Sequence, residues 1–224
     1  MRLKDHKGIR LKVFLLIFSS LILLLTGCGQ EDTPEIALNE IKIALSERNL
    51  IKLSERVDLD KFFSATYDVA TLELAKNHDI YQEKYPDDPY FQHSAAFLTN
   101  YNAEHKLRHL KFLDGVKKSF FDKIPEPNTP EDNPTAYVAN EFEKIRAVTD
   151  VTIKETQIYD DKATIILDLQ GDNSLRGQFI GKMTFELAFY RDKEKRWHLD
   201  RIKNLDELMP ALVDKAEIVW INFS

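Results

Sequence analysis

After Thr149 the spacing of apolar residues changes from near 3.6 to 2, a switch that excludes an all-helical chain and an all-strand chain alike. Ahead of that point the stripes are helical. Leu38, Ile41 and Leu45 form one, Phe62, Phe63, Thr66, Val69 and Ala70 a second, and Val138, Phe142 and Ile145 a third. Beyond it, Val151 to Ile158 and Ala163 to Leu169 read as strands joined by the turn Tyr159-Asp160-Asp161-Lys162. Gln178 to Tyr190 reads as the longest strand, with Phe179, Gly181, Met183, Phe185, Leu187 and Phe189 on the core side. Arg196 to Ile202 follows a charged turn, Glu207 to Ala216 closes as a helix or turn, and Ile218 to Phe223 adds an edge strand. Helices gathered before an antiparallel meander predict an α+β domain, its N-terminal helices packed on one face of a curved sheet.

The helix boundaries come from capping chemistry. Thr33, Pro34 and Glu35 supply an N-cap, a first helical residue and a first-turn acid for a helix over 34–48. Leu50 and Leu53 suggest a short second turn, and Asp58 caps the helix after it. In Tyr85-Pro86-Asp87-Asp88-Pro89, Asp88 caps and Pro89 begins a long helix reaching about Ile124. A Pro-rich loop follows over 125–130, and Asn133 and Pro134 start the next helix.

The other end of the chain carries an address. Arg2, Lys4, Lys7, Arg10 and Lys12 face one acid, Asp5, and the thirteen residues from Val13 to Leu25 are apolar apart from Ser19 and Ser20. That is the length of a signal-peptide core, whereas a membrane span needs about 20 apolar residues. The run ends in Leu25-Thr26-Gly27-Cys28, which resembles the lipobox of bacterial lipoproteins. The resemblance implies that residues 1–27 are removed and that Cys28 takes the lipid. Residues 28–33 then form a short tether, and 34–224 form a single α+β domain on the extracytoplasmic face of a cell membrane. Two acyl chains anchor stably where one is marginal.

Cys28 is the only cysteine, so neither a disulfide nor a thiolate cluster holds the fold. Without residues 1–27 the chain keeps 26 basic and 36 acidic residues, a net charge of −10. Such a domain is unsuited to nucleic acid, and its membrane attachment must come from the lipid on Cys28.

The element order, the long strand and the closing Trp197-His198-Leu199-Asp200-Arg201-Ile202 are similar to the nuclear transport factor 2-like, or cystatin-like, α+β roll. In that roll a carboxylate inside the cone serves as general base in SnoaL-like cyclases and isomerases, which makes Asp168 a candidate here. The plainer reading of Asp168, and of Glu186, is the polar side of an alternating strand.

A second candidate pair lies on the long helix. Phe91, Leu98, His105, His109, Phe112, Val116 and Phe120 share an arc of under about 90° at 100° per residue, so two histidines sit in an apolar stripe. Spaced i and i+4 they could share a metal or act as an acid/base pair. Alternatively each imidazole is buried with a hydrogen-bond partner, or the helix breaks near Asn100 or Asn102. The order Glu104-His105-Lys106-Leu107-Arg108-His109 is not that of a zinc hydrolase, and no phosphate loop or nucleophile elbow occurs. The pairs Asp58/Asp60, Asp87/Asp88 and Asp160/Asp161 lack the spacing of a calcium loop and read as caps and turns. No metal or cofactor is therefore expected. The reading that fits best is a lipid-anchored, non-enzymatic domain that binds a small apolar ligand or a partner protein. A cavity enzyme using His105, His109 or Asp168, and a structural envelope-assembly lipoprotein, are its rivals.

Overall fold

The computed structural model describes residues 32–223, with side chains up to Glu217. The expected signal segment and Cys28 lie outside the described residues. Six helices come first: α1 (Pro34–Glu47), α2 (Leu50–Ser54), α3 (Leu59–Lys76), α4 (His78–Lys84), α5 (Ala95–Phe121) and α6 (Pro134–Ala147). The strands β1 (Thr149–Tyr159), β2 (Lys162–Gly171), β3 (Lys182–Arg191) and β4 (Trp197–Ile202) follow, with α7 (Leu175–Ile180) between β2 and β3 and α8 (Leu205–Phe223) last. The architecture is α+β, as the change of period requires.

The sheet is an antiparallel meander in the order β1-β2-β3-β4. Its register places Ala163 opposite Phe189, Ile165 opposite Leu187 and Leu167 opposite Phe185, so large apolar pairs share the helix-facing side. Those six residues are all buried, and they belong to one core that runs from Ala37 in α1 to Ala216 in α8. The opposite side carries Thr164, Ile166, Asp168, Thr184, Glu186 and Ala188, all half-buried. Helices cover one face and leave the other to solvent, which is why the polar and apolar residues alternate.

The caps form where the sequence puts them at Thr33, Asp58 and Asn133, each accepting a backbone N–H three residues ahead. The start of the long helix does not. Asp88 accepts the Tyr90 N–H at 2.8 Å and the Phe91 N–H bonds the Asp88 carbonyl, closing a turn. Phe91 packs 5.2 Å from both Tyr81 and Tyr90, an aromatic knot that holds this segment short of helix. Helix α5 begins six residues after Pro89, capped by Ser94.

Two further expectations are corrected. Residues 178–180 are not strand: Ser174, steadied by Asp172, caps α7, and Gly181 at φ 58° ends it in a backbone region alien to side-chain-bearing residues. Phe179 reaches the core from a helix, and β3 starts only at Lys182. The segment 218–223 is not an edge strand either, because α8 runs through it. Leu205, Met209, Leu212, Val213 and Ala216 set a helical stripe, and extension past them adds one hydrogen bond per residue against the weak reluctance of Ile218, Val219 and Ile221.

The free edge of β4 is closed by the chain's own start. The Leu199 N–H bonds the Arg56 carbonyl beside a parallel bridge from Val57 to Leu199. The Arg56 guanidinium, on a residue only 4% exposed, donates to both oxygens of Asp32 at 2.8 Å, to Glu40 at 2.5 Å and to the Trp197 carbonyl at 3.0 Å. Asp32 also accepts the Trp197 N–H at 2.7 Å. The chain ahead of α1 is thus fixed at Asp32.

Phe185 is fully buried, so Phe185→Ala should lower the unfolding free energy by about 3 to 5 kcal/mol. Thr164→Ala, on the open side, should cost under about 1 kcal/mol. Urea titration of both variants checks the difference, and equal losses would contradict the facing assigned to the sheet.

Candidate functional site

Helix α5 packs on α3 and α6. Along one line of it, from just before its cap, every fourth residue carries a ring: His93, Phe97, Tyr101, His105 and His109. Four residues at 100° each advance the position by roughly 40°, so the line winds slowly and neighbours can touch. His93 stacks on Phe97 at 4.4 Å between centroids, and Tyr101 stacks on His105 at 4.0 Å with planes 4° apart. His105 and His109 are 6.3 Å apart with planes 29° apart. Phe97 is 45% exposed and the other four are half-buried. The helix therefore presents a ladder of rings at the surface.

Its inner end is set by a buried polar chain. The Tyr67 hydroxyl donates to the Asn102 carbonyl at 2.9 Å, and the Asn102 amide donates to the Tyr90 hydroxyl at 3.0 Å. His109 Nδ1 lies 2.8 Å from that same Tyr67 hydroxyl. A hydroxyl has one proton and a carbonyl only accepts, so making both bonds requires the proton of His109 to sit on Nδ1. His105 Nδ1 faces the Tyr101 carbonyl at 2.9 Å, which fixes the same tautomer. Both histidines are oriented by these bonds.

Each imidazole has its Nδ1 engaged with a neighbour of its own, Tyr101 for His105 and Tyr67 for His109. Among the described residues no three His, Cys, Asp or Glu side chains are grouped to hold a metal. Nor does Asp168 join them. It lies on the open face of the sheet, where the Thr184 hydroxyl donates to it at 2.6 Å. The histidines belong to the helix layer, so the three candidates of the sequence occupy two separate places.

The structure also gathers residues that no sequence pattern links. The hydroxyl of Tyr85, the residue that ends α4, donates to Asp214 on α8 at 2.5 Å, and Lys84 donates to its other oxygen at 2.6 Å. Tyr81, one turn before Tyr85, is 2% exposed, and burial, with Asp214 and Glu73 next to it, pushes its hydroxyl up to about 12. Burial opposes the charge of Asp214, yet the bonds from Lys84 and Tyr85 hold its carboxyl below the usual range. This cluster pins α8 to the helix layer. Only the i, i+4 spacing of the two tyrosines was visible beforehand.

Because no third ligating side chain is grouped with the two imidazoles among the described residues, zinc at about 100 μM should leave the melting temperature unchanged to within about 1 °C. A saturable one-to-one zinc isotherm, lost in His105→Ala and His109→Ala, would contradict this. Asp214→Asn should cost about 1 kcal/mol at neutral pH. A lowered carboxyl stabilises above the usual range and stops doing so as pH falls through its folded value. The gap between wild type and variant in thermal melts should therefore close below about pH 4, and a gap unchanged down to about pH 2 would refute the assignment.

No helix among the described residues is long and apolar enough to cross a membrane. Compared with known proteins, the chain matches no family model, no curated protein and no solved structure.

Proposed function

We propose that this chain is a lipid-anchored, extracytoplasmic domain without catalytic activity, and that it binds a small apolar ligand with a planar group on the ring face of α5. The anchor reading rests on the thirteen-residue apolar run ending in Leu25-Thr26-Gly27-Cys28. The binding reading is carried by one observation: Phe97 stands 45% exposed in a row of stacked rings on a surface helix. Exposed aromatic faces in contact with one another offer a planar group both dispersion and edge-to-face partners, about 0.5 to 1.5 kcal/mol per ring pair beyond the area covered. The helix-facing side of the sheet is filled by its own Phe185, Leu187 and Phe189, which favours the helix layer over the sheet as the place for a ligand. An aromatic side chain of a partner protein is the other occupant of the same chemistry.

Two measurements test the two halves. Cys28→Ser should accumulate as a precursor that incorporates no labelled fatty acid, because a hydroxyl does not supply the thiolate that takes up the lipid. Normal processing of that variant would remove the anchor. An anilinonaphthalene sulfonate probe should bind saturably at one site, at least tenfold more weakly in Phe97→Ser/Tyr101→Ser than in wild type. Binding unaffected by that pair of changes would remove the ring face as the site.

A further inference from the structure

We infer that the end of the sheet carrying the β1–β2 and β3–β4 turns is the face of the domain that lies against the phospholipid headgroups. The inference rests on the anchor reading above and adds an orientation to it.

The chain is held from Asp32, four Cα steps after Cys28. An extended chain covers at most about 3.6 Å per residue, so the lipid-bearing residue stands within roughly 14 Å of the Asp32 Cα. The headgroup layer itself is only about 5 to 8 Å deep on each side of the bilayer. A domain on so short a leash has no freedom to turn Asp32 away from the membrane.

Asp32 is bonded to the first residue of β4, Trp197, and to Arg56 beside it. The β3–β4 turn, residues 192–196, ends one residue before that bond. The β1–β2 turn lies at the same end, since Lys162 pairs with Tyr190 and the Arg191 N–H bonds the Asp161 carbonyl. The other end of the sheet is marked by Thr149 opposite Gly171 and Gln170 opposite Lys182. Nine residues of β2 separate the two ends, about 30 Å at 3.3 Å per residue.

Charge agrees with this placing. At the turn end Lys162, Arg191, Lys193, Lys195 and Arg196 meet Asp160, Asp161, Asp192, Glu194 and Glu55, and Arg56 meets Asp32 and Glu40, a set within one charge of neutral in a domain of net charge −10. Asp192 is occupied within its own turn, accepting the N–H groups of Glu194 and Arg196 and lying 2.8 Å from His198 Nε2. Lys193 and Lys195 are exposed. Anionic headgroups repel a nearly neutral end only weakly, while the leash holds it near them.

The test uses the acylated protein in phospholipid vesicles. Once Cys28 is acylated its sulfur is blocked, so an introduced cysteine is the only free thiol. A fluorophore on Lys195→Cys is compared with one on Asn173→Cys, an exposed position past the far end of β2. With a headgroup-linked nitroxide lipid as quencher, the Lys195→Cys label should be quenched at least threefold more. A flexible insert of about twenty glycines and serines between Glu31 and Asp32 should abolish the difference. Equal quenching at the two positions, or more at Asn173→Cys, overturns the inference, and a difference that survives the insert overturns the leash as its cause. A wild-type protein that carries no acyl mass and does not float with vesicles overturns the anchor reading instead, so the two failures are told apart.

Discussion

The buried guanidinium of Arg56 joins what would otherwise be separate parts. Its partners come from the segment before α1, from α1 itself and from β4, 24, 16 and 141 residues away. Burial works against its charge, but the bonds it donates to Asp32 and Glu40 more than restore it, so its pKa lies above the ordinary arginine value. A fork of five donors is suited to this place because one side chain can satisfy a bidentate carboxylate, a second carboxylate and a carbonyl together. Removing the carboxylates would strand the guanidinium in the interior, which is the costly case for buried ion pairs. The edge of the sheet, the start of the helix layer and the entry of the chain are thereby one structural problem with one solution.

On that frame the two layers divide the work. The sheet contributes its covered face to the core, and its open face is the ordinary polar side of an antiparallel meander, Asp168 included. The helix layer is less uniform. It buries hydroxyls, an amide and carboxylates between α3, α4, α5 and α8, and it sets its rings outward along α5. Buried polar chains such as Tyr67, Asn102 and Tyr90 fix one arrangement where an apolar filling would permit several. They orient His109 and support the outer rings from below.

The fold class was legible because periodicity is a local property and its main change, after Thr149, parts the first six helices from the sheet. The caps at Thr33, Asp58 and Asn133 were legible for the same reason: each is a side chain reaching its own backbone three residues on. The misplaced elements share a different cause. Asp88 and Pro89 have the chemistry of a helix start, but Tyr90 and Phe91 answer to Asn102, Tyr81 and Tyr85, which no local pattern shows. Gln178 to Ile180 alternate as a strand would, yet Gly181 and the Ser174 cap decide otherwise, and Ile218 to Phe223 follow the helix already running before them. Of the candidate site, His105 and His109 were found on the right helix, and their rings at i, i+4 were countable. Their link to Tyr67 and the stack with Tyr101 were not, because rotamers and α3 packing decide them.

The Asp32 clamp has a mechanical side. Any drag on an anchored domain enters through the residues ahead of α1, and a chain that passed straight into that helix would meet force one hydrogen bond at a time. Under the proposed anchor the load would arrive at a carboxylate held by two guanidinium nitrogens and a strand N–H together. Tension would be split at its point of entry between Arg56 and β4, and the bonds at Asp32 would have to shear as a group before the first helical turn could be peeled away.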